Sequence, residues 1–405
     1  MSESITFAPI IPLIGGFPLG AEHALGVQPS AIYSYAAFAG NDSHYVNYQQ
    51  NTLGRDVEYI DITKEEKYDS VDIVMCTPPC AALSSLNSSS NPEASGAGCA
   101  KNEWMYISIT DAITKLDAKV VMVENAPALY TTKGKIVADN IYAIAKEYGY
   151  SMTLYKTSTM FHGIPQNRGR CFAILWKSKY APYMEYFNKP CLSFSDYVES
   201  YSPDSINTEQ TCEKLLDDPY YSFISNTIDE DVRELVKSST SKTLFQYVYK
   251  NGLIDDAIEY FIKTGNEKGE KLATHAKYKF DSGKNIWDGS VNIYKDTIAA
   301  LIGRNLVSTL HPTKNRSLTI GEALHIMGFP NDFELLGGRK NMNHICQNVP
   351  VCTAADMVRQ AKKFINGELI LSESDLVKQN NHKQEIDFES NSGELIVDIF
   401  NSVHD

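Results

Sequence analysis

The amino-acid sequence predicts an α/β fold, a doubly wound and mostly parallel sheet into which a smaller domain is inserted. Short apolar runs alternate with amphipathic stretches through the first 175 residues, which is the pattern of repeated βαβ units. From about Lys177 to Leu306 the chain becomes rich in Tyr, Lys, Asp and Ser, and helical order returns near Thr319. We therefore assign a first domain to residues 1–176, an inserted domain to 177–305, a return to the first domain at 306–366 and an acidic tail at 367–405.

The individual elements follow from the periodicity of apolar residues along the chain. The predicted strands of the sheet are Ile5–Ile11, Ala31–Ala36, Val57–Ile60, Asp72–Cys76, Val120–Glu124 and Cys171–Leu175. The predicted helices are Trp104–Leu116, Lys135–Tyr148 with Ile136 on its apolar face, Asp255–Lys263, Leu318–Met327 and Thr353–Ile365 with Thr353 as its cap. Two further strands are predicted at Lys277–Phe280 and Leu395–Phe400.

Composition narrows the class of protein. The sequence has no apolar run of about 18 residues and no secretory leader, so we expect a cytoplasmic protein with no membrane partner. Its eight cysteines form no CxxC pair, which argues against structural zinc or another metal. Residues 366–405 carry −7 of the net charge of −13. The remaining −6 lowers the expectation of nucleic-acid binding but permits a local basic cleft. We also expect a monomer.

The segment from Asp72 to Cys80 reads as a strand that ends in a double-proline turn and presents a thiol. A cysteine at the carboxyl end of such a strand is held by the backbone, which suits a nucleophile. An ordinary buried cysteine beside a loop is the alternative interpretation.

Two other strands carry polar residues at their ends. Val120–Val123 leads directly into Glu124 and Asn125. A buried carboxylate needs an oppositely charged or hydrogen-bonding partner, or it has a functional role. Arg168 and Arg170 precede the strand Cys171–Leu175 at strand spacing, so both should point to the same face and suit an anionic or carbonyl-rich ligand. A salt-bridged loop residue and a surface charge pair are the respective alternatives.

In order and context, these segments resemble the cytosine-C5 DNA methyltransferase family motif by motif: Pro-Pro-Cys, Glu-Asn, then Gln-x-Arg-x-Arg. The segment Arg316–Pro330 resembles the penultimate motif of that family, Gln347–Pro350 the last motif, and Ile14–Gly20 the glycine turn of its cofactor site. The resemblance covers residues 1–175 and about 297–365. The unmatched middle is where the family keeps its target-recognition domain.

The resemblance implies a Rossmann-like DNA (cytosine-5-)-methyltransferase that flips a cytosine out of double-stranded DNA and methylates it from S-adenosylmethionine. It implies that Cys80 attacks C6, Glu124 acts at N3, Arg170 holds O2, Arg168 orients the site and Asn125 fixes the turn. The residues of the cofactor site that it implies are Ile11, Ile14, Gly15, Gly16, Asp61, Ile62, Pro79, Met105 and Asn348. The stretch Ala81–Lys101 would close over the flipped base as a lid.

The sequence departs from the family mainly at the cofactor motifs. Pro9, Ile11 and Leu13 stand where the family has an acidic residue, an aromatic residue and a glycine. Ala39 stands at the position of the glutamate that binds the ribose, and Asn41 or Asp42 could replace it. Smaller departures are Ala81 and Gln347, which replace a glutamine and a glycine.

These departures leave open weak binding of S-adenosylmethionine, a modified sulfonium donor or an RNA substrate. A non-catalytic DNA-binding homologue is a further alternative, which the retained Cys80, Glu124 and Arg170 disfavour. The recognised DNA sequence cannot be read from the chain. Candidate DNA contacts in the inserted domain, which a half-buried strand pair would also explain, are Lys277, Tyr278, Lys279, Phe280, Lys284, Trp287, Tyr294 and Lys295.

Overall fold

An α/β sheet with helices on both faces organises the chain in a computed structural model, which describes residues 4–38, 42–84, 96, 98–202, 206–284, 290–381 and 395–396. The strands are β1 Phe7–Ile10, β2 Ile32–Ser34, β3 Tyr59–Asp61, β4 Ile73–Cys76, β5 Val120–Asn125, β6 Ser151–Ser158, β7 Gln166–Asn167, β8 Gly169–Trp176, β9 Ile298–Ala299, β10 Leu376–Asn380 and β11 Leu395–Ile396.

The α-helices lie between these strands and beyond them. They are α1 Gly16–Leu25, α2 Asp42–Asn51, α3 Glu103–Thr114, α4 Lys135–Glu147, α5 Phe194–Glu199, α6 Pro219–Thr227, α7 Val232–Ser238, α8 Leu244–Lys250, α9 Ile254–Lys263, α10 Glu267–Asp281, α11 Gly303–Leu306, α12 Ile320–Ile326, α13 Asn343–Gln347 and α14 Val351–Ile365. Among the described residues, none of these helices is both long enough and apolar enough to cross a membrane.

The main sheet has the strand order β11-β10-β6-β8-β5-β4-β1-β2-β3. Strand β8 runs antiparallel to its neighbours β5 and β6, and the other pairs in this sheet are parallel. The predicted fold, a doubly wound and mostly parallel sheet, is confirmed. Parallel strands β1, β4 and β5 at the centre bring their carboxyl ends to one edge, where such folds bind ligands.

Alternation along the central strands builds two cores, one on each face of the sheet. In β4, Val74 and Cys76 pack with apolar residues of α3 and α4, whereas Ile73 and Met75 pack with those of α1 and α14. Because both faces are covered, these strands read as continuous apolar runs in the sequence.

Helices α1 and α14 contact each other through small residues. A Cβ atom added at Gly20 would lie 2.5 Å from the Cβ of Ala354, closer than carbon atoms can approach. Glycine at this position therefore permits the close packing of the two helices, and this packing determines where the turn before α1 lies.

Contacts divide the chain into two compact units. The first comprises Met1–Cys191, Met327–Leu336 and Gln347–Asp405, and it contains the main sheet. The second comprises Leu192–Ile326 and Gly337–Cys346. Its core is helical, with side chains of α6 to α10 such as Tyr220, Phe245 and Phe261 packed together.

Three local expectations are wrong. Lys277–Phe280 is not a strand but part of α10, because Asn266 caps that helix and Ala273 and Ala276 bury its inner face. Ile136 is exposed on α4, whose buried face consists of Val137, Ala138, Ile141 and Ala145. Helix α14 begins at Val351, two residues before the expected cap Thr353. Of the expected strand Leu395–Phe400, Leu395–Ile396 is described and the rest lies outside the described residues.

Candidate active site

Cys80 lies just beyond the carboxyl end of β4, the strand between β1 and β5. Thr77, Pro78 and Pro79 carry the chain away from the strand, and the amide of Leu83 donates to the carbonyl oxygen of Cys80 at 3.1 Å. The cysteine is half-buried. The double-proline turn and this hydrogen bond fix the backbone that presents the thiol.

Glu124 lies at the end of β5 with only 2% of its surface exposed. Strand β8 pairs with β5, placing Phe172 opposite Glu124 and Cys171 opposite Asn125. Arg170 lies on β8 directly before Cys171, and its Nε lies 2.5 Å from Glu124 Oε1. The sheet order thus brings together a carboxyl group and a guanidinium that are 46 residues apart in the sequence.

Arg168 precedes β8 and is 1% exposed. One of its terminal nitrogens donates to the carbonyl oxygen of Asn348 at 2.9 Å. The charges of Arg168 and Arg170 both act on Glu124 and on Cys80. The expected nucleophile, acid and two arginines therefore converge at one edge of the sheet.

Burial and charge act in opposite directions on the two ionisable groups of this site. Burial raises the pKa of the Glu124 carboxyl, and the charges of Arg170 and Arg168 oppose that shift. Burial, followed by the nearby charge of Glu124, raises the pKa of the Cys80 thiol, and both arginines oppose this shift. A carboxyl group with a raised pKa can hold a proton closer to neutral pH than an exposed glutamate can.

Asn125 is buried beside Glu124. Its Oδ1 accepts a hydrogen bond from the amide of Ala126 at 2.8 Å, and its Nδ2 donates to the sulfur of Met105 at 3.2 Å. The side chain thus holds the backbone that follows β5 and contacts a residue expected in the cofactor site.

The glycine turn before α1 has an unusual backbone. Gly15 has φ 109°, and a Cβ there would lie 2.5 Å from Tyr48 Cδ2. The amide of Gly16 donates to Asn348 Oδ1 at 3.0 Å, and a Cβ at Gly16 would collide with the carbonyl oxygen of Val349. Both positions therefore require glycine.

Two residues preceding this turn also have positive φ although neither is a glycine. Ile11 has φ 58° and Leu13 has φ 53°. Leu13 thus adopts a left-handed backbone, which glycine takes more readily than residues with a side chain. A side chain in this region costs about 1–2 kcal/mol.

The other residues expected in the cofactor site lie around the ends of β1, β3 and β4. Ile11, Ile62 and Met105 belong to one buried apolar cluster, Ile14 is buried and Pro79 is half-buried. The sole charged member of the set, Asp61, ends β3. Its Oδ1 accepts hydrogen bonds from the amide (3.0 Å) and hydroxyl (2.7 Å) of Thr63, which lower the pKa of its carboxyl.

Several positions expected near the site lie wholly or partly outside the described residues. These are Ala39, Asn41, the side chain of Asp42, and residues 85–95 and 97 of the expected lid.

The sequence analysis did not identify the buried residues that pack against the glycine turn. Glu22 of α1 is buried and accepts hydrogen bonds from Tyr48 Oη at 2.8 Å, Thr52 Oγ1 at 2.5 Å and the amide of Leu53 at 2.8 Å. Tyr48 is the residue whose ring lies against Gly15. A glutamate directly after the apolar segment Gly16–Ala21 was the available signal, since a carboxylate buried there needs partners.

A second missed group is a set of aromatic rings after β2. The rings of Tyr35 and Phe38 lie 5.0 Å and 4.8 Å from that of Trp104, measured between centroids, and Tyr35 Oη donates to Asp111 at 2.9 Å. These rings pack against the apolar cluster that contains Ile11, Ile62 and Met105.

One family model matches most of the chain, and a curated relative is also a methyltransferase. The family model described as C-5 cytosine-specific DNA methylase matches residues 6–363. A type II methyltransferase of Bacillus paralicheniformis, M.Bpa9945I, is 24% identical over 336 residues, which is 74% of this chain and 72% of that protein.

Solved structures resemble the chain at the level of the fold. A DNA modification methyltransferase encoded within an E. coli prophage aligns with a TM-score of 0.55 at 15% identity, covering 90% of this chain and 100% of that one. The Entamoeba histolytica methyltransferase EhMeth aligns with a TM-score of 0.50 at 14% identity, covering 90% and 99%.

Proposed function

Since the chain belongs to the C-5 cytosine-specific DNA methylase family, we propose that Cys80, Glu124 and Arg170 carry out the methylation of cytosine C5 in DNA. The chain is a DNA cytosine methyltransferase and uses a methyl donor. The observation that supports this choice of residues is their convergence. Arg170 Nε lies 2.5 Å from Glu124 Oε1, and both charges act on the thiol of Cys80.

Cys80 is the nucleophile in this proposal. Cytosine C5 is too weak a nucleophile to take a methyl group directly, and addition of a thiolate to C6 converts the ring into an enamine. The charges of Arg168 and Arg170 favour the thiolate against the burial that raises the pKa of Cys80. The backbone after β4 presents the sulfur toward the extruded base, whose unstacking costs a few kcal/mol.

Glu124 protonates N3 of the cytosine as the thiolate adds, and Arg170 holds O2. Burial raises the pKa of Glu124, so its carboxyl group holds a proton to a higher pH than an exposed glutamate does. C5 then takes the methyl group from the donor. Loss of the C5 proton to water and expulsion of the Cys80 sulfur restore the aromatic ring, the proton on N3 returns to Glu124, and the thiolate is regenerated.

We assign the methyl donor as S-adenosylmethionine, whose sulfonium supplies an electrophilic methyl group when bound. The residues present fit its adenosine part. Asp61 is a carboxylate of lowered pKa at the end of β3, able to accept from an adenine amine, and Ile11, Ile62 and Met105 offer apolar surface. Leu13, at the position of the family's glycine, has φ 53°, a conformation that glycine adopts readily.

The second unit is the proposed target-recognition domain, and the outward face of α10 is its proposed DNA contact. This face carries Lys268, Lys271, His275, Tyr278 and Lys279 at helical spacing. Tyr278 is 60% exposed, and Lys284 lies over its ring at 5.3 Å. Cations interleaved with an exposed aromatic suit a phosphate backbone.

Other lysines expected at this contact are engaged within the unit. Lys277 pairs with Asp255, and Lys295 Nζ donates to the carbonyl oxygen of Ser239 at 2.8 Å. Tyr294 packs edge-on against Phe194, with ring centroids 6.2 Å apart, and Trp287 lies outside the described residues. Phe280 packs against Tyr249, with ring centroids 4.2 Å apart. The proposed DNA contact therefore keeps Tyr278, Lys279 and Lys284 of the residues predicted from the sequence and adds the earlier turns of α10.

A covalent trap tests the proposed nucleophile. Duplex DNA in which cytosine is replaced by 5-fluorocytosine cannot lose a C5 proton, so incubation with S-adenosylmethionine should leave an adduct that survives denaturing electrophoresis. Cys80→Ser should form none, and Cys191→Ser, which changes an exposed cysteine, should form it normally. An adduct that persists in Cys80→Ser would refute the assignment.

The biological role follows from the type II relative. We place this chain in DNA modification of the restriction–modification kind, acting at one fixed target sequence. Mapping 5-methylcytosine in cells that express the wild type, with Cys80→Ser as control, would identify that sequence. Methylation without sequence preference would contradict the type II assignment.

A further inference from the structure

Two buried hydrogen bonds meet at Asn348 and link the base-activation site to the glycine turn. Arg168 donates to the backbone carbonyl oxygen of Asn348 at 2.9 Å. The side-chain oxygen of the same asparagine accepts from the amide of Gly16 at 3.0 Å. A single residue, 332 positions beyond Gly16, thus joins a guanidinium beside the reacting groups to the start of α1.

The surroundings leave this linkage little freedom to adjust. Arg168 and Asn348 are each 1% exposed. At Gly16 an added Cβ would lie 3.0 Å from the Cβ of Asn348 and would collide with the carbonyl oxygen of Val349. Tyr48 closes the other side of the turn at Gly15. Because the parts are close-packed, a shift of Asn348 must move the turn.

The two arginines of the site differ in this respect. Arg170 contacts Glu124 and donates to the carbonyl oxygen of Gly169 at 2.8 Å, so its contacts lie on β5 and β8. Arg168 acts on Glu124 through its charge and on Asn348 through a hydrogen bond. The contacts given for Arg170 therefore lie in the base-activation site, whereas Arg168 interacts both with that site and, through Asn348, with the glycine turn.

We propose that Arg168 is a positioning residue for the methyl-donor turn, which it holds through Asn348, and that it thereby couples donor binding to base activation. The proposal rests on the function proposed above for Cys80, Glu124 and Arg170. Coupling of this kind is reciprocal, so donor binding should in turn steady the guanidinium beside Glu124.

Donor affinity measured without DNA tests the proposal. Titration calorimetry with S-adenosylmethionine, and separately with sinefungin, would compare the wild type with Arg168→Gln and Arg170→Gln. Loss of a buried hydrogen bond from a charged donor predicts about tenfold to hundredfold weaker donor binding by Arg168→Gln. Arg170→Gln should bind the donor within about twofold of the wild type, because no contact joins it to Asn348 among those described. Wild-type donor affinity in Arg168→Gln would overturn the proposal.

A double-mutant cycle separates action through Asn348 from a general structural effect. Asn348→Ala removes the bond to Gly16 but keeps the backbone carbonyl that Arg168 contacts. If Arg168 acts through the asparagine side chain, the double variant should bind the donor no more weakly than Asn348→Ala alone. Fully additive losses would contradict the linkage.

Should Arg168→Gln fail to fold, Arg168→Lys carries the same test, because lysine keeps the charge beside Glu124 but loses the guanidinium geometry at Asn348. Donor affinity should then fall between the values of the wild type and Asn348→Ala, and a wild-type value would overturn the coupling.

The proposed role of Arg168 and the proposed catalytic function can be refuted independently of each other. A wild type that binds donor but forms no 5-fluorocytosine adduct refutes the proposed nucleophile, whereas the calorimetric comparison alone decides the role of Arg168.

Discussion

Replacement of Glu124 by glutamine should separate the reactivity of the Cys80 thiol from the rate of methyl transfer. The nearby carboxylate raises the pKa of Cys80, so its removal lowers that pKa and increases the thiolate fraction at neutral pH. Glutamine has almost the same volume but cannot deliver a proton to N3. We expect Cys80 to become more reactive toward a simple alkylating agent while methyl transfer collapses.

The size of the loss follows from the role and burial of the carboxyl group. A positioned general acid contributes about 10²–10⁴ in rate, or about 3–5 kcal/mol of transition-state stabilisation. Removing one partner of a buried ion pair costs about 3–5 kcal/mol of unfolding free energy. The lower end applies here, because Arg170 is 15% exposed at its side chain and keeps its bond to Gly169.

Three measurements decide this prediction. Iodoacetamide labelling quantified by peptide mass spectrometry gives the reactivity of Cys80, radiolabel transfer gives the methylation rate, and urea denaturation gives stability. Glu22→Gln is the matched control, since Glu22 is also a buried glutamate of this unit and should change stability without changing Cys80 labelling. Unchanged or slower labelling of Cys80 in Glu124→Gln, or methyl transfer within tenfold of the wild type, would refute the reasoning.

Four other outcomes are expected. Leu13→Gly should be more stable than Leu13→Ala by about 1 kcal/mol in urea denaturation, because alanine keeps the strain at φ 53°; equal stabilities would contradict this. Gly16→Ala should lose donor binding in calorimetry because its Cβ meets Val349, whereas Gly26→Ala, whose Cβ meets no neighbouring atom and is strained only by its own φ of 73°, should keep it. Replacing Lys268 and Lys271 by glutamine should reduce the salt dependence of DNA binding by about 0.9 per lost phosphate contact, and an unchanged slope would exclude the α10 face. Methyl transfer needs both a thiolate at Cys80 and a proton on Glu124, so its pH profile should be bell-shaped, with both limbs at pH values above those that exposed side chains would give; a profile without the alkaline fall would count against Glu124 as the acid.

The sequence could predict the centre of the fold because its strands are buried on both faces. Ile73–Cys76 and Val120–Val123 are unbroken apolar runs, which are typical of parallel strands buried on both faces. Lys277–Phe280 was wrongly predicted to be a strand because the segment is too short to show its helical period. Four alternating residues look like a strand, and only the longer window from Asn266, with Ala273 and Ala276 on the inner face, identifies a helix.

The site could be predicted residue by residue but not in its arrangement. Cys80, Glu124 and Arg170 each follow or begin a strand, which is visible locally. Their meeting depends on β5 lying between β4 and β8, a long-range choice that no local pattern encodes. The contacts of Asn348 with Gly16 and Arg168 span 332 and 180 residues, so they were beyond any argument from spacing.

The close packing of α1 on α14 has a consequence for biosynthesis. The glycine face of the first helix remains uncovered until Val351–Ile365 has left the ribosome, because Gly16 meets Val349 and Gly20 meets Ala354. Some 330 residues beyond Gly16 must therefore be translated before the turn that we propose for the methyl donor is complete. The nascent chain can pair its central strands early, but the proposed donor site can form only after α14 has been made.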